Sequence, residues 1–171
     1  MAGTENIKKL FIKQKKVARD PDRKPILKTM DQFNELLLIA DADPSNLANE
    51  LSAAFRHAKI SFLFPRKNKE DNTAHGTYCY HASDLNLTGK IKNDKLKQLM
   101  QIQFDLILDL STDEILNQYL LKKLSASFII GKKGIEKSEM YDLLVSETTN
   151  NEEFIQTITK QITLLSQNGT K

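Results

Sequence analysis

Residues 104–134 (FDLILDLSTDEILNQYLLKKLSASFIIGKKG) constrain the fold more than any other stretch of the chain. Residues 104–110 are apolar except for Asp105 and Asp109, the composition of a strand buried on both faces. Ser111 follows, with Glu114 three residues on, which is the spacing of a capping box at a helix start. Ile115, Tyr119, Leu120, Leu121 and Leu124 give that helix a broad apolar face. Residues 125–130 form a second short apolar run, closed by Gly131. Strand, helix and strand in this order make a βαβ unit, which predicts a parallel sheet with helices packed against it.

The same grammar recurs along the chain. Residues 32–40 (QFNELLLIA) read as a central strand, followed by a turn in which Asp43 caps a helix and Pro44 opens its first turn. Leu47, Leu51, Ala54, Phe55 and Ala58 supply that helix's core stripe, and residues 59–64 (KISFLF) form the next strand. Residues 66–76 are a polar, turn-rich loop. Residues 77–81 (TYCYH) form a short strand, 92–100 a helix, and 141–145 (YDLLV) a last strand. A closing helix begins at Asn151 and turns Phe154, Ile155, Ile158, Ile162 and Leu165 inward. The expectation is one three-layer, Rossmann-like α/β domain over residues 31–171, with a mostly parallel sheet.

Residues 1–30 are set apart by charge. They hold nine Lys and Arg against Glu5, Asp20 and Asp22, a net of +6, and the whole chain is +3, so the remaining 141 residues carry 3 − 6 = −3. Residues 5–18 place Ile7, Leu10, Phe11, Gln14 and Val17 on one stripe with lysines around it, a basic amphipathic helix, and residues 19–28 read as a linker into the body. Lys8, Lys9, Lys13, Lys15 and Lys16 are thus candidates for contact with RNA, an anionic membrane surface or an acidic protein partner. Phe11 is the one aromatic residue of the arm, which argues against base stacking as its main mode.

Motifs for catalysis are incomplete. In open α/β sheets ligands bind outside the carboxyl ends of the strands, and here two such ends are polar: Asp41 and Asp43, and Asp109 and Ser111. If the two strands are neighbours, Asp41 and Asp109 approach each other, and paired carboxylates can hold Mg²⁺ for a phosphate substrate. The competing reading makes Asp43 and Ser111 helix caps and leaves Asp41 and Asp109 near helix N-termini for electrostatic reasons. Gly131 to Gly134 (GKKG) lacks the frame of a phosphate-binding loop, and no dinucleotide fingerprint occurs. Cys79 with His75 and His81 has the spacing of no common metal site, and no Gly-x-Ser-x-Gly elbow is present. No metal or cofactor is expected. The single cysteine, Cys79, and the lack of a long apolar run or a secretory signal predict a cytoplasmic protein without a transmembrane segment.

The alternation of elements and the acids after the first strand resemble phosphoacceptor receiver domains, but the spacing of the elements does not match theirs. LLLIADAD at 36–43, FDLILDLS at 104–111, SASFIIG at 125–131 and YDLLV at 141–145 instead resemble a family of small uncharacterised proteins from Bacteroidota, over about residues 30–165. That resemblance implies a Rossmann-like α/β fold and brings no catalytic residues with it. FDLILDL is also similar to the strand entering the N-terminal half of heptosyltransferase-like enzymes, whose second domain would not fit in this length. Two functions are compatible with these residues: a non-catalytic binding or adaptor module with a basic arm, or a small Mg²⁺-dependent phosphoryl- or nucleotide-processing enzyme built on Asp41, Asp43 and Asp109.

Overall fold

The computed structural model describes residues 23–66, 76–86, 88–112, 115–132, 138–146 and 150–168. The basic helix expected over 5–18, with Lys8, Lys9, Lys13, Lys15 and Lys16, lies outside them, as do His75, Glu114 and most of the polar loop after Arg66.

Strands β1 (Glu35–Ile39), β2 (Lys59–Pro65), β3 (Thr77–Tyr80), β4 (Gln103–Asp109), β5 (Ser125–Lys132) and β6 (Leu143–Val145) form one sheet. Their order is β3-β2-β1-β4-β5-β6 and every pairing is parallel. This is the doubly wound order, whose direction reverses between β1 and β4. Four α-helices accompany the described strands: α1 (Ala48–Ala54), α2 (Asp94–Leu99), α3 (Ile115–Leu121) and α4 (Asn151–Asn168).

The central strands are apolar throughout because both of their faces are covered. Leu36 and Leu38 of β1 and Leu106 and Leu108 of β4 pack with Leu51 of α1 and with Phe154, Ile158 and Ile162 of α4. Leu37, Ile39 and Ile107 turn the other way, against Leu96 and Leu99 of α2 and Leu116 and Leu120 of α3. Each of these fully buried aliphatic side chains contributes about 1.5–3 kcal/mol. The result is the expected single α/β body, with three layers.

Several local expectations shift. The first helix ends at Ala54 rather than Ala58, because Phe55 leaves helical geometry (φ −117°, ψ 65°) to enter the core against Phe33, edge to face at 5.7 Å. Leu165, expected inward, is 45% exposed, and Leu164 beside it is 60% exposed, because the last turn of α4 outruns the layer beneath it. Gly131 does not close β5 but lies within it, paired with Asp109 of β4.

The segment expected to be a linker is attached to the body where it enters the described structure. Arg23 grips Asp142 with two guanidinium nitrogens, both at 2.7 Å, and donates to the carbonyls of Ala126 (2.8 Å) and Ser127 (2.9 Å). The Ile26 amide donates to the Ser127 carbonyl at 3.0 Å. β6 pairs only with Ile130 to Lys132, so the segment covers the part of the β5 edge that β6 leaves open. Lys28 then pairs with Asp105 at 2.6 Å.

Candidate functional site at the β1–β4 switch point

Ile39 and Asp109 are register partners at the carboxyl ends of β1 and β4, so the two polar strand ends are neighbours at the switch point. The chain beyond Ile39 carries Asp41 in an exposed turn, and Asp109 is buried, 1% exposed.

Asp109 is fully engaged. Its Oδ1 accepts from the Ser111 amide (2.9 Å) and the Ser111 hydroxyl (2.5 Å), and its Oδ2 accepts from the Tyr141 hydroxyl (2.7 Å). Burial pushes the Asp109 carboxyl above the ordinary range, and the charge of Asp41 pushes the same way; the Ser111 and Tyr141 bonds oppose both. Ser111, expected as a helix cap, spends its hydroxyl on Asp109. The capping-box partner Glu114 lies outside the described residues.

Asp41 Oδ2 accepts from the Thr112 amide at 2.8 Å, and its Oδ1 lies 3.4 Å from the Asn117 amide nitrogen. Asn117 is buried on α3 and accepts a short hydrogen bond from the Tyr80 hydroxyl at the end of β3. Asp43 stands apart: its Oδ1 accepts from the Ser45 amide at 2.9 Å and starts the short 3₁₀ turn Ser45–Leu47 ahead of α1. The structure therefore brings Asp41, Asp109 and Ser111 to the same end of the β1–β4 pair and leaves Asp43 in local turn chemistry.

Four residues around these acids were not singled out as site residues from the sequence: Tyr80, Asn117, Tyr141 and Gly131. Asn117 is the most conspicuous afterwards, a polar residue on an otherwise apolar helix face. Gly131 explains how Tyr141 reaches Asp109. A Cβ on Gly131 would lie 2.9 Å from Cγ of the Tyr141 ring and closer still to Cδ1 and Cε1. The ring rests on the bare backbone of β5, and its hydroxyl extends to the neighbouring strand.

The remaining candidates are dispersed. Lys132 of the GKKG stretch lies 5.7 Å above the Phe154 ring and 3.5 Å from Asn151 Oδ1. His81 caps a 3₁₀ turn through Ser83, at 2.8 Å from its hydroxyl. Cys79 is half-buried on β3. Among the described residues no three His, Cys, Asp or Glu side chains are arranged to hold a metal ion, and no helix is long and apolar enough to cross a membrane.

A parallel, doubly wound α/β protein with hydrogen-bonded acids at its switch point is the class that fold and site define. The chain belongs to a family of unknown function, DUF6913, whose model matches residues 5–165. That match begins well before residue 30, so the basic segment falls inside the family's own boundaries. Neither the curated proteins nor the solved structures give a significant match.

Proposed function

We propose that this protein is a non-catalytic binding or adaptor module of the bacterial cytoplasm, in which an α/β body of residues 31–171 carries a basic segment, residues 1–30, that contacts an anionic or protein partner. The observation that carries the reading is the state of the crevice acids. Asp41, Asp43 and Asp109 each accept a hydrogen bond from a backbone amide, of Thr112, Ser45 and Ser111 respectively. Carboxylates committed to main-chain donors support a structural role for the crevice and move attention to the charge of the N-terminal segment. Lys8, Lys9, Lys13, Lys15 and Lys16 supply that charge, and Arg23 and Lys28 fix where the segment leaves the body. Salt titration of binding to RNA and to anionic vesicles, with the full chain and with a chain lacking residues 1–22, tests it. Binding that weakens with salt and is lost on truncation supports the arm's role; affinity unchanged by truncation overturns it.

A second reading keeps Mg²⁺-dependent phosphoryl or nucleotide chemistry at Asp41 and Asp109. It is favoured by one observation, that Asp41 and Asp109 stand at the carboxyl ends of two adjacent parallel strands, where Ile39 and Asp109 are register partners. Its weakness is that Asp109 already accepts three hydrogen bonds, which leaves the exposed Asp41 to hold an ion nearly alone. Calorimetric titration of Mg²⁺ into the wild type and Asp41→Asn decides it: heat of binding lost in the variant favours the enzyme, and no heat in either removes it.

A further inference from the structure

Tyr141 and Asp142 are consecutive, and they serve two different parts of the molecule. The Tyr141 hydroxyl donates to Asp109 in the crevice (2.7 Å), with its ring seated on Gly131. Asp142 takes the paired bonds of Arg23 on the N-terminal segment, and its Oδ2 also accepts from the Ile129 amide at 2.7 Å. The Asp142 amide in turn donates to the Ile129 carbonyl at 2.9 Å. One peptide unit thus separates the group that bonds Asp109 from the group that anchors the basic segment. Both are held against β5, two residues apart in that strand, at Gly131 and Ile129.

We infer that the Tyr141–Asp142 step couples the switch-point crevice to the anchor of the N-terminal segment, so that loss of the Tyr141–Asp109 bond loosens the grip of Asp142 on Arg23. The physical reason is that Asp142 must present both oxygens to one guanidinium while accepting from Ile129, a geometry that tolerates little rotation of its backbone. Tyr141 fixes that backbone from one side, as the Asp142–Ile129 bonds do from the other. Its ring has a seat only because residue 131 lacks a Cβ, and its hydroxyl has a fixed acceptor in Asp109. Anything that draws the hydroxyl away, including a ligand that offers it a better acceptor, acts on the next residue as well. The coupling runs both ways by linkage: a partner that pulls Arg23 off Asp142 weakens the Tyr141–Asp109 bond. Its use in regulation rests on the proposal that the N-terminal segment binds a partner, but the coupling itself does not.

Site-resolved amide hydrogen exchange on the full chain tests it without any ligand. The reporter is the Ile26 amide, bonded to Ser127 beside the anchor, and the control is the Phe62 amide, bonded to Gly76 at 2.9 Å on the far side of the sheet. Tyr141→Phe keeps the ring and removes the hydroxyl; Gly131→Ala evicts the ring; Arg23→Ala releases the anchor directly and marks the full effect. In Tyr141→Phe the Ile26 amide should exchange roughly tenfold faster, the scale of one hydrogen bond to a charged group, with Phe62 unchanged. Gly131→Ala should do at least as much, and if it does not fold, Tyr141→Phe decides alone. Wild-type exchange at Ile26 in Tyr141→Phe overturns the inference, even where Gly131→Ala accelerates it. Equal acceleration at Phe62 also overturns it, since the change is then global. Exchange is read without a partner, so failure of the arm's binding proposal leaves this result standing, and the reverse.

Discussion

Asp105 offers the most direct test of how the N-terminal segment and the sheet are joined. It lies in β4, 8% exposed, where its carboxylate meets three donors: Lys28 Nζ at 2.6 Å, the Asn34 amide at 2.7 Å and the Glu35 amide at 3.2 Å. The two amides are those at the start of β1, where the ladder to β4 has not yet begun. Asp105→Ala strips all three. The Asn34 amide, exposed enough for water to replace its partner, costs about 1 kcal/mol, and the longer Glu35 bond costs less. The Lys28 pair adds about 0.5–1 kcal/mol, discounted because the Lys28 side chain is 31% exposed. The sum is roughly 2–3 kcal/mol, or about 5–10 °C in Tm for a chain of this length. Asp105→Asn, which keeps an acceptor for Asn34, should lose about half as much. Burial alone would raise the Asp105 carboxyl, but Lys28 and the two amides outweigh it and hold it below the ordinary value. For a carboxyl depressed on folding, the stabilisation is complete above the unfolded value of about 4 and is lost as pH falls through the folded one. Urea unfolding of wild type and Asp105→Ala from pH 7 to pH 3 should therefore show a gap that closes in acid. A gap independent of pH, or one below about 0.5 kcal/mol at pH 7, would refute the reasoning.

Three further outcomes follow from the geometry. Arg23→Ala should destabilise by about 1.5–3 kcal/mol in urea unfolding, and Arg23→Lys should restore less than half, because an ammonium cannot span both Asp142 oxygens and two carbonyls at once. Gly89→Ala should cost at least about 2 kcal/mol by the same measurement: Gly89 has φ +79°, and a Cβ there would lie 2.7 Å from the Tyr119 hydroxyl oxygen, which donates to the Gly89 carbonyl. Asp109→Asn should be neutral or stabilising by up to about 1 kcal/mol at pH 7, since the amide can accept from Ser111 and donate to Tyr141 without a buried charge. Because the Asp109 carboxyl is raised on folding, the wild type loses stability as pH rises from the unfolded value of about 4 to the folded one, so the variant's relative standing should improve over that window. A deficit of Asp109→Asn that is constant across pH counts against the buried carboxyl.

Much of the fold could be read from residue order, and for a simple reason. A parallel strand covered on both faces has to be apolar along its length, so ELLLI, QFDLILD and SASFIIGK declare themselves. The adjacency of β1 and β4 was a condition, not a reading, because strand order leaves no mark on any one strand. Leu165 misled because the 3.6-residue period of α4 continues past the layer that could bury it. The polar network was illegible for a different cause. Asn117 bonds Tyr80, 37 residues before it, and Asp41, 76 residues before it, and no local spacing encodes such contacts. Gly131 read as punctuation, when its missing side chain is the seat of Tyr141.

The aspartates are where the two levels part most sharply. In sequence Asp41, Asp43 and Asp109 look like a reactive set because they cluster after strands. In the fold they belong to a wider habit: Asp84 accepts from the His81 amide at 2.8 Å, Asp105 from Asn34 and Glu35, and Asp142 from Ile129, each where a turn, a strand end or an open strand edge leaves an amide without a main-chain partner. Doubly wound sheets with short loops create many such amides at both rims of the sheet, and a short carboxylate is the acceptor that reaches them. An acid after a strand is then the ordinary consequence of the topology, and chemistry has to be argued from what remains once the amides are satisfied. By that measure Asp41, exposed, with one oxygen on the Thr112 amide and the other 3.4 Å from Asn117, differs from Asp109, which is buried and accepts three hydrogen bonds. Asp142 is the acid that ties the sheet to the basic segment, because its partner Arg23 belongs to that segment.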